Sequence, residues 1–234
     1  RHFATGAQRA VRVAMTTAFG VSPATVGLAR FRDIHPAVKL FVREMGTVDA
    51  QDALGREEVD LALLHPPLDR VDLSLSALGV EPLDALYRPD LYSLCDHPTL
   101  ADLLAYPLIW YPYSRAPRLT TRFLALSSAA GRAPDIAAEA ESSLAAIAMA
   151  AAGLGIALLP RSFSKIGAAG CAVRALAGAP LYLARAAAMR TRDGADPVLN
   201  SLVDCQRDAF GVSACAATEA PAAETAPPKA PPPA

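Results

Sequence analysis

The residues able to do chemistry in this chain are hydroxyls, one imidazole and one guanidinium, and each stands just beyond an apolar run. Thr16 and Thr17 follow Val11–Met15, and Gly46 and Thr47 follow the alternating Val38, Leu40 and Val42. His65 and Pro66 follow Leu61–Leu64. Pro112, Tyr113 and Ser114 follow Leu108–Tyr111, with a helix start at Pro117, Arg118 and Leu119. Ser142 and Ser143 head a further helix. Such a set is suited to binding. Hydroxyls orient a ligand, and helix N-termini offer free N–H groups and a positive dipole end that favour a small carboxylate. Plainer readings stand beside this one. Thr47, Ser142 and Ser143 are the residue types that cap helices. His65 can satisfy a carbonyl in a turn, and His35 and His97, both before prolines, read as turn residues. Arg118 can be a solvated surface group, and Trp110 and Tyr111 can pack their own strand.

Catalysis is not written here. The chain has no G-x-S-x-G, H-E-x-x-H, Walker A or G-x-G-x-x-G motif, and no nucleophile stands beside an obvious base. Paired acids such as Glu57-Glu58 fall in charged surface stretches. Cys95, Cys171, Cys205 and Cys215 are scattered without a C-x-x-C pair. That spacing argues against zinc and against a dense disulfide framework, and reads as reduced thiols in a cytoplasmic protein. No cofactor, no metal and no enzymatic activity are expected.

The elements that position these groups follow from periodicity. Val11 to Met15 is a short strand. Ser22-Pro23 opens a helix that must stop before Pro36, since the residue before proline avoids the α region. Val38 to Val42 alternates as a strand, Thr47 caps a second helix with Asp49 and Asp52 near its start, and Leu61–Leu64 is a buried strand. This is a βαβαβ unit, whose strands should be parallel and its crossovers right-handed. A second series begins at Leu108–Tyr111. It continues through a helix over Arg118–Ala130, a strand at Ile136–Ala138, a helix from Ser142 or Ser143 to Gly153, and a strand at Ile156–Leu159. The segment Glu81–Leu94 should cross between the units, and Leu181–Met189 should cross back. Asp196-Pro197 then opens a final helix over Val198–Phe210 that packs on the first unit. In open parallel sheets ligands sit beyond the carboxyl ends of the strands, which is where the residues named at the outset lie.

Composition agrees with a two-unit globular chain. The 234 residues are 53% hydrophobic and 19% charged, with a net charge of −1 and no Lys/Arg block of the kind that binds nucleic acid. Ser142–Pro160 carries no charge and is about the length of a membrane span, but it is alanine-rich and broken by Gly153-Leu154-Gly155. It reads as helix, glycine cap and buried strand, so no membrane association is expected. No signal peptide opens the chain. From Gly211 the sequence turns to Ala, Pro, Thr and Glu, and residues 211–234 are expected to be a disordered tail.

The run RVAMTTAFGVSPATVGLARFRDIHPAVKLFVREMGTVDAQDALGREEVDLALLHPP resembles the first half of a LysR-type transcriptional regulator's effector-binding domain. Val80-Glu81-Pro82-Leu83 resembles that family's crossing strand. Thr99-Leu100-Ala101-Asp102-Leu103 resembles its S-L-A-D-L helix, and Ala151 to Pro160 its A-A-G-L-G-V-A-L-L-P turn. The coverage is about Val11 to Phe210. The resemblance implies an α/β fold of two Rossmann-like subdomains with a ligand cleft between them, type 2 periplasmic-binding-protein-like. It divides the chain into the end of a linker helix at 1–10, subdomain I at 11–85 and 188–210, and subdomain II at 86–187.

By the same resemblance the effector touches Thr16, Thr17, Thr47, His65 and Pro66, and the loop Tyr113, Ser114, Pro117, Arg118 and Leu119 closes on it. The implied partners are a small carboxylate effector, further copies of the chain in a homodimer or homotetramer, and DNA only through a helix-turn-helix missing from this sequence. His65 departs from the family, where arginine is common, and a neutral imidazole lacks arginine's two-pronged grip on a carboxylate. The segment Leu86–Cys95 also looks shorter than usual. A solute-binding protein of a transport system is the alternative on the same fold, which would need a secretion signal or lipid anchor.

Overall fold

The computed structural model describes residues 9–66, 68, 70–178 and 180–212. The first lobe opens with β1 (Ala10–Met15), a single turn α1 (Thr17–Gly20) and helix α2 (Ala24–Ile34). It continues through β2 (Lys39–Glu44), α3 (Thr47–Gly55) and β3 (Leu61–Leu64). β1 is the central strand and pairs in parallel with both β2 and β3, as a βαβαβ unit requires. Ala10, placed by the resemblance in a linker helix, is instead the first residue of β1, opposite Lys39; residues 1–8 of that expectation lie outside the described residues. Pro23 holds the cap position of α2, one residue later than the expected Ser22, which stays beside the helix start. The Ser22 hydroxyl accepts from the Ala24 N–H at 3.2 Å and donates to the Phe19 carbonyl at 2.9 Å. The helix ends at Ile34, ahead of Pro36.

The crossing strand β4 (Leu73–Tyr87) begins and ends earlier than the expected Glu81–Leu94 segment, with pairing from Leu73. It leads to α4 (Leu100–Leu103), where Thr99 and Asp102 cap each other's backbone N–H. The second lobe then runs β5 (Leu108–Trp110), α5 (Pro117–Ala129), β6 (Ile136–Glu139), α6 (Ser143–Ala151) and β7 (Ile156–Pro160). β5 pairs in parallel with β6 and β7, repeating the first lobe's pattern. Ser142 caps α6 by accepting from the Ala145 N–H. Gly153 ends it with φ of +81°, and a Cβ on Gly155 would come within 2.8 Å of the Pro107 carbonyl oxygen. The uncharged stretch is thus helix, turn and strand, and among the described residues no helix is long and apolar enough to cross a membrane. A short turn α7 (Arg161–Ser164) and strand β8 (Ala172–Ala175) follow, neither foreseen from the sequence. β9 (Tyr182–Arg190) crosses back, and α8 (Pro197–Phe210) closes the fold under an Asp196 cap.

The strands form one path, β2-β1-β3-β9-β4-β7-β5-β6, with β8 beside β4. β4 and β9 run antiparallel to each other and belong to both lobes. Leu73–Ala77 pairs with Arg190–Ala186, the register slips between Ala77 and Val80, and Val80–Pro82 pairs with Ala184–Tyr182. Beyond that, Leu83–Leu86 pairs with β7. The cores change hands over the same few residues. Leu78 and Ala187 pack with Val13, Phe31 and Leu202 in the first lobe. Leu83 and Leu183 pack with Leu108, Trp110 and Phe123 in the second. The passage between the two cores thus falls within Leu78–Leu83 of β4 and Leu183–Ala187 of β9.

Candidate functional site

The carboxyl ends of β1 and β3 are neighbours, because Met15 pairs with Leu63 and the Thr16 N–H bonds to the Leu63 carbonyl at 3.1 Å. Thr16 is 9% exposed, and its hydroxyl is sealed from solvent with no hydrogen-bond partner. Phe19, fully buried, lies with its ring 5.3 Å from that of His65. The His65 Nδ1 stands 2.9 Å from the Ala184 carbonyl of β9, while its Nε2 is sealed and unpartnered. Burial pushes this imidazole below its ordinary value. The Ala184 carbonyl and Glu81 oppose the shift, and Arg185 adds to it. His65 is thus a carbonyl-satisfying turn residue at one nitrogen and a buried, unpartnered polar atom at the other.

The remaining predicted residues divide. Thr17 is exposed and donates to the Glu44 carboxylate at 2.6 Å, tying the end of β1 to the end of β2. Thr47 is not the cap of α3: Gly46 holds that place in extended backbone, and Thr47 is the first helical residue. Pro66 is half-buried beside His65. Tyr113, Ser114, Pro117 and Arg118 stand exposed at the carboxyl end of β5, Tyr113 at 60%. Leu119 is different, since its side chain is in the second lobe's core with Phe123 and Trp110. Only its backbone remains at the helix start. Trp110 and Tyr111 pack their strand. Trp110 stacks on Phe123 at 4.1 Å and donates to the Thr120 hydroxyl. Tyr111 bonds Ser143, and burial pushes its hydroxyl up to about 12.

The structure adds groups that the sequence reading did not select. Glu81, in β4, is 3% exposed. One of its oxygens accepts from the Ser162 N–H of the second lobe at 2.7 Å; the other lies 3.9 Å from the Arg185 guanidinium of β9 without a hydrogen bond. Arg185 in turn lies over the Phe210 ring at 4.3 Å, and Phe210 meets Phe19 edge-on at 5.9 Å. The signal for both was available: a lone charge inside an apolar stretch, Glu81 in Leu78–Leu83 and Arg185 in Tyr182–Met189. The lobes also touch at Ala18, which packs against the second lobe's Ile109, Ala140 and Phe163 cluster. A separate groove of about 470 Å³ between α2 and α8, lined by Arg30, Ile34, Asn200 and Asp208, holds none of the predicted site residues.

Comparison with known proteins agrees with this geometry. The profile of the family described as LysR substrate binding domain matches residues 4–211. The HTH-type transcriptional regulator AlsR of Bacillus subtilis (strain 168) is 29% identical over 138 residues, covering 58% of this chain and 45% of that protein. The HTH-type transcriptional regulator BenM of Acinetobacter baylyi is 28% identical over 158 residues, covering 63% of this chain and 49% of its own. The chain thus spans about half the length of the curated relatives it matches. Among solved structures, the BenM effector binding domain with its effector benzoate aligns with a TM-score of 0.76 at 21% identity, covering 88% of this chain and 94% of that one. The LysR family transcriptional regulator CbnR aligns at 0.74 and 19%, covering 88% of this chain and 71% of its own. These likenesses show the fold, the two-lobed α/β arrangement called type 2 periplasmic-binding-protein-like. With nearly the whole described chain inside the family profile, the protein belongs to the LysR substrate binding domain family.

Proposed function

We propose that this chain is the effector-sensing part of a LysR-type transcriptional regulator. A small molecule binds between the lobes and biases their relative orientation. That bias passes through dimer or tetramer packing to a DNA-binding domain outside this sequence. The observation that carries the reading is the pair of sealed, unpartnered polar atoms, Thr16 Oγ1 and His65 Nε2, at the adjacent carboxyl ends of β1 and β3. Buried polar groups without partners cost about 1–3 kcal/mol each, and a ligand that satisfies them recovers that cost. The first lobe is taken as residues 11–85 with 188–210 and the second as 86–187. Thr17, Thr47 and Pro66 complete the first lobe's wall, with Tyr113, Ser114, Pro117, Arg118 and the Leu119 backbone facing from the second.

The relatives support this reading over transport, being named transcriptional regulators, and one solved neighbour holds benzoate as its effector. A small carboxylate is accordingly the ligand class, with no catalysis and no cofactor, in a cytoplasmic protein. A ligand shifts the lobes only by its difference in affinity for the two states, typically about 1–3 kcal/mol. The test is a thermal-shift screen of the chain against small carboxylates and aromatic acids, repeated on Thr16→Ala and His65→Ala. At a hundredfold excess over Kd, binding stabilises by about 2.7 kcal/mol. A stabilising acid whose effect vanishes in both variants is the expected result; one that acts equally on both variants overturns the site.

A further inference from the structure

Among the described residues, eight buried side-chain atoms lack a hydrogen-bond partner, and five of them belong to one place in the fold. They are Thr16 Oγ1, His65 Nε2, Glu81 Oε2, Ser162 Oγ and Arg185 Nε. Thr16 and His65 end β1 and β3. Glu81 and Arg185 stand on β4 and β9 where these strands pass between the lobes, and Ser162 follows β7. Four of the five are linked directly, and Thr16 adjoins them through its N–H on the Leu63 carbonyl, two residues before His65. Glu81 bonds the Ser162 N–H at 2.7 Å and lies 3.9 Å from Arg185, and both charges act on the His65 ring. Thr16, Glu81 and Ser162 are each more than nine-tenths buried.

The polarity of these atoms restricts what satisfies them. The Ala184 carbonyl accepts only, so the His65 Nδ1, at 2.9 Å from it, carries the ring proton. Its Nε2 therefore presents a lone pair, and burial disfavours the doubly protonated ring. Glu81 Oε2 is likewise an acceptor. Arg185 Nε–H is a donor, its neighbouring Nη2 already given to the Val80 carbonyl at 3.0 Å. The two hydroxyls serve either way. A bare carboxylate placed here would be held by the Arg185 Nε–H and the two hydroxyls but would meet the Glu81 oxygen and the imidazole lone pair, which repel it; a ligand O–H or N–H satisfies those two acceptors.

We infer that the hinge end of the cleft recognises a ligand group that donates hydrogen bonds, an O–H or N–H, so that the effector is a hydroxy-, amino- or amide-bearing small molecule rather than a bare acid. This rests on the effector-domain reading above and narrows its ligand class. A carboxylate elsewhere on the same ligand remains compatible with it. Glu81 and His65 are then specificity-determining residues: they select the donor and turn away the unsubstituted acid.

Two measurements test it. Nitrogen NMR of the His65 ring in the 234-residue chain at pH 7 reads its protonation without any ligand. A neutral ring protonated at Nδ1 is expected; an Nε2–H ring or an imidazolium overturns the donor requirement. Calorimetric titration then compares benzoate with 3-hydroxybenzoate, 3-aminobenzoate and benzamide. At least one donor-bearing member should bind tenfold or more tightly than benzoate, and Glu81→Gln and His65→Phe should remove that advantage while changing benzoate's own affinity less. Benzoate binding as well as or better than all three overturns the inference while leaving effector binding in place. If all four are silent, together with the acids of the thermal-shift screen, it is the effector-domain reading that fails, and the NMR result alone then decides the polarity of the site.

Discussion

The two lobes repeat one topology and use it differently. In the first, β1 and β3 end in Thr16 and His65, whose Oγ1 and Nε2 are buried without partners, while β2 ends in the exposed Glu44. In the second, the corresponding strand ends are satisfied or in water apart from Ser162 just beyond β7, whose hydroxyl is buried without a partner. Tyr111 and Ser143 bond each other at 2.9 Å, Ser142 is spent on capping α6, and Tyr113 to Arg118 are largely exposed. The contrast teaches that a shared βαβαβ plan fixes where strand ends lie and leaves open whether they recognise anything. Recognition comes from what else is packed behind them. The first lobe has β9, α1 and α8 behind its strand ends, supplying Ala184, Phe19 and Phe210.

The strongest way to break this comparison is to ask whether the lobes fold as one. Phe31→Ala in the first core and Phe123→Ala in the second should each cost about 3–5 kcal/mol. Because β4 and β9 are shared, urea unfolding of both variants should show a single transition; two transitions would mean that the lobes are energetically separate. Next comes pH. The folded His65 value lies below the unfolded value of 6.5. The unfolded chain therefore binds the extra proton first, and stability falls as pH drops below about 6.5. The slope for this one group is at most about 1.4 kcal/mol per pH unit. His65→Phe should flatten the decline between pH 7 and 5 in chemical denaturation, and an unchanged slope would contradict the sealed environment.

Smaller effects sharpen the contrast. Asp196→Ala removes the cap whose carboxylate accepts from the Val198 and Leu199 N–H groups, and should cost about 1 kcal/mol in urea denaturation. The two threonines should then part company. Thr16→Val replaces an unpartnered buried hydroxyl and should stabilise the ligand-free chain by about 1 kcal/mol while abolishing effector binding. Thr17→Val loses only an exposed bond to Glu44 and should change stability by less than about 0.5 kcal/mol. A destabilised Thr16→Val would show that its hydroxyl is satisfied.

Much of the fold was legible because its signals are local. Leu61–Leu64 is an uninterrupted apolar run and is buried throughout. Asp196-Pro197 places a capping acid before a proline, and the helix begins there. The missed stretch of β4 had a signal as well: Leu73, Leu75 and Ala77 alternate with Ser74 and Ser76. β8 did not, because four residues reading AVRA carry no period long enough to separate strand from loop. Thr47 was misplaced by one position because Gly46, which has no side chain to cap with, holds the extended backbone that the cap position requires.

The sequence alone determined the βαβαβ order and parallel pairing within each lobe, without α7 and β8, and the set of strand ends from which a site is drawn. These follow from hydrophobic period, proline and capping chemistry, which act over a few residues. Only the tertiary structure decided which of those ends are sealed. It brought Ala184 to His65 across 119 positions of sequence, and Arg185 to Glu81 and Phe210, and so set which nitrogen of the imidazole is left open. Burial and hydrogen-bond satisfaction are properties of surroundings assembled from distant segments, and no local pattern of residues carries them.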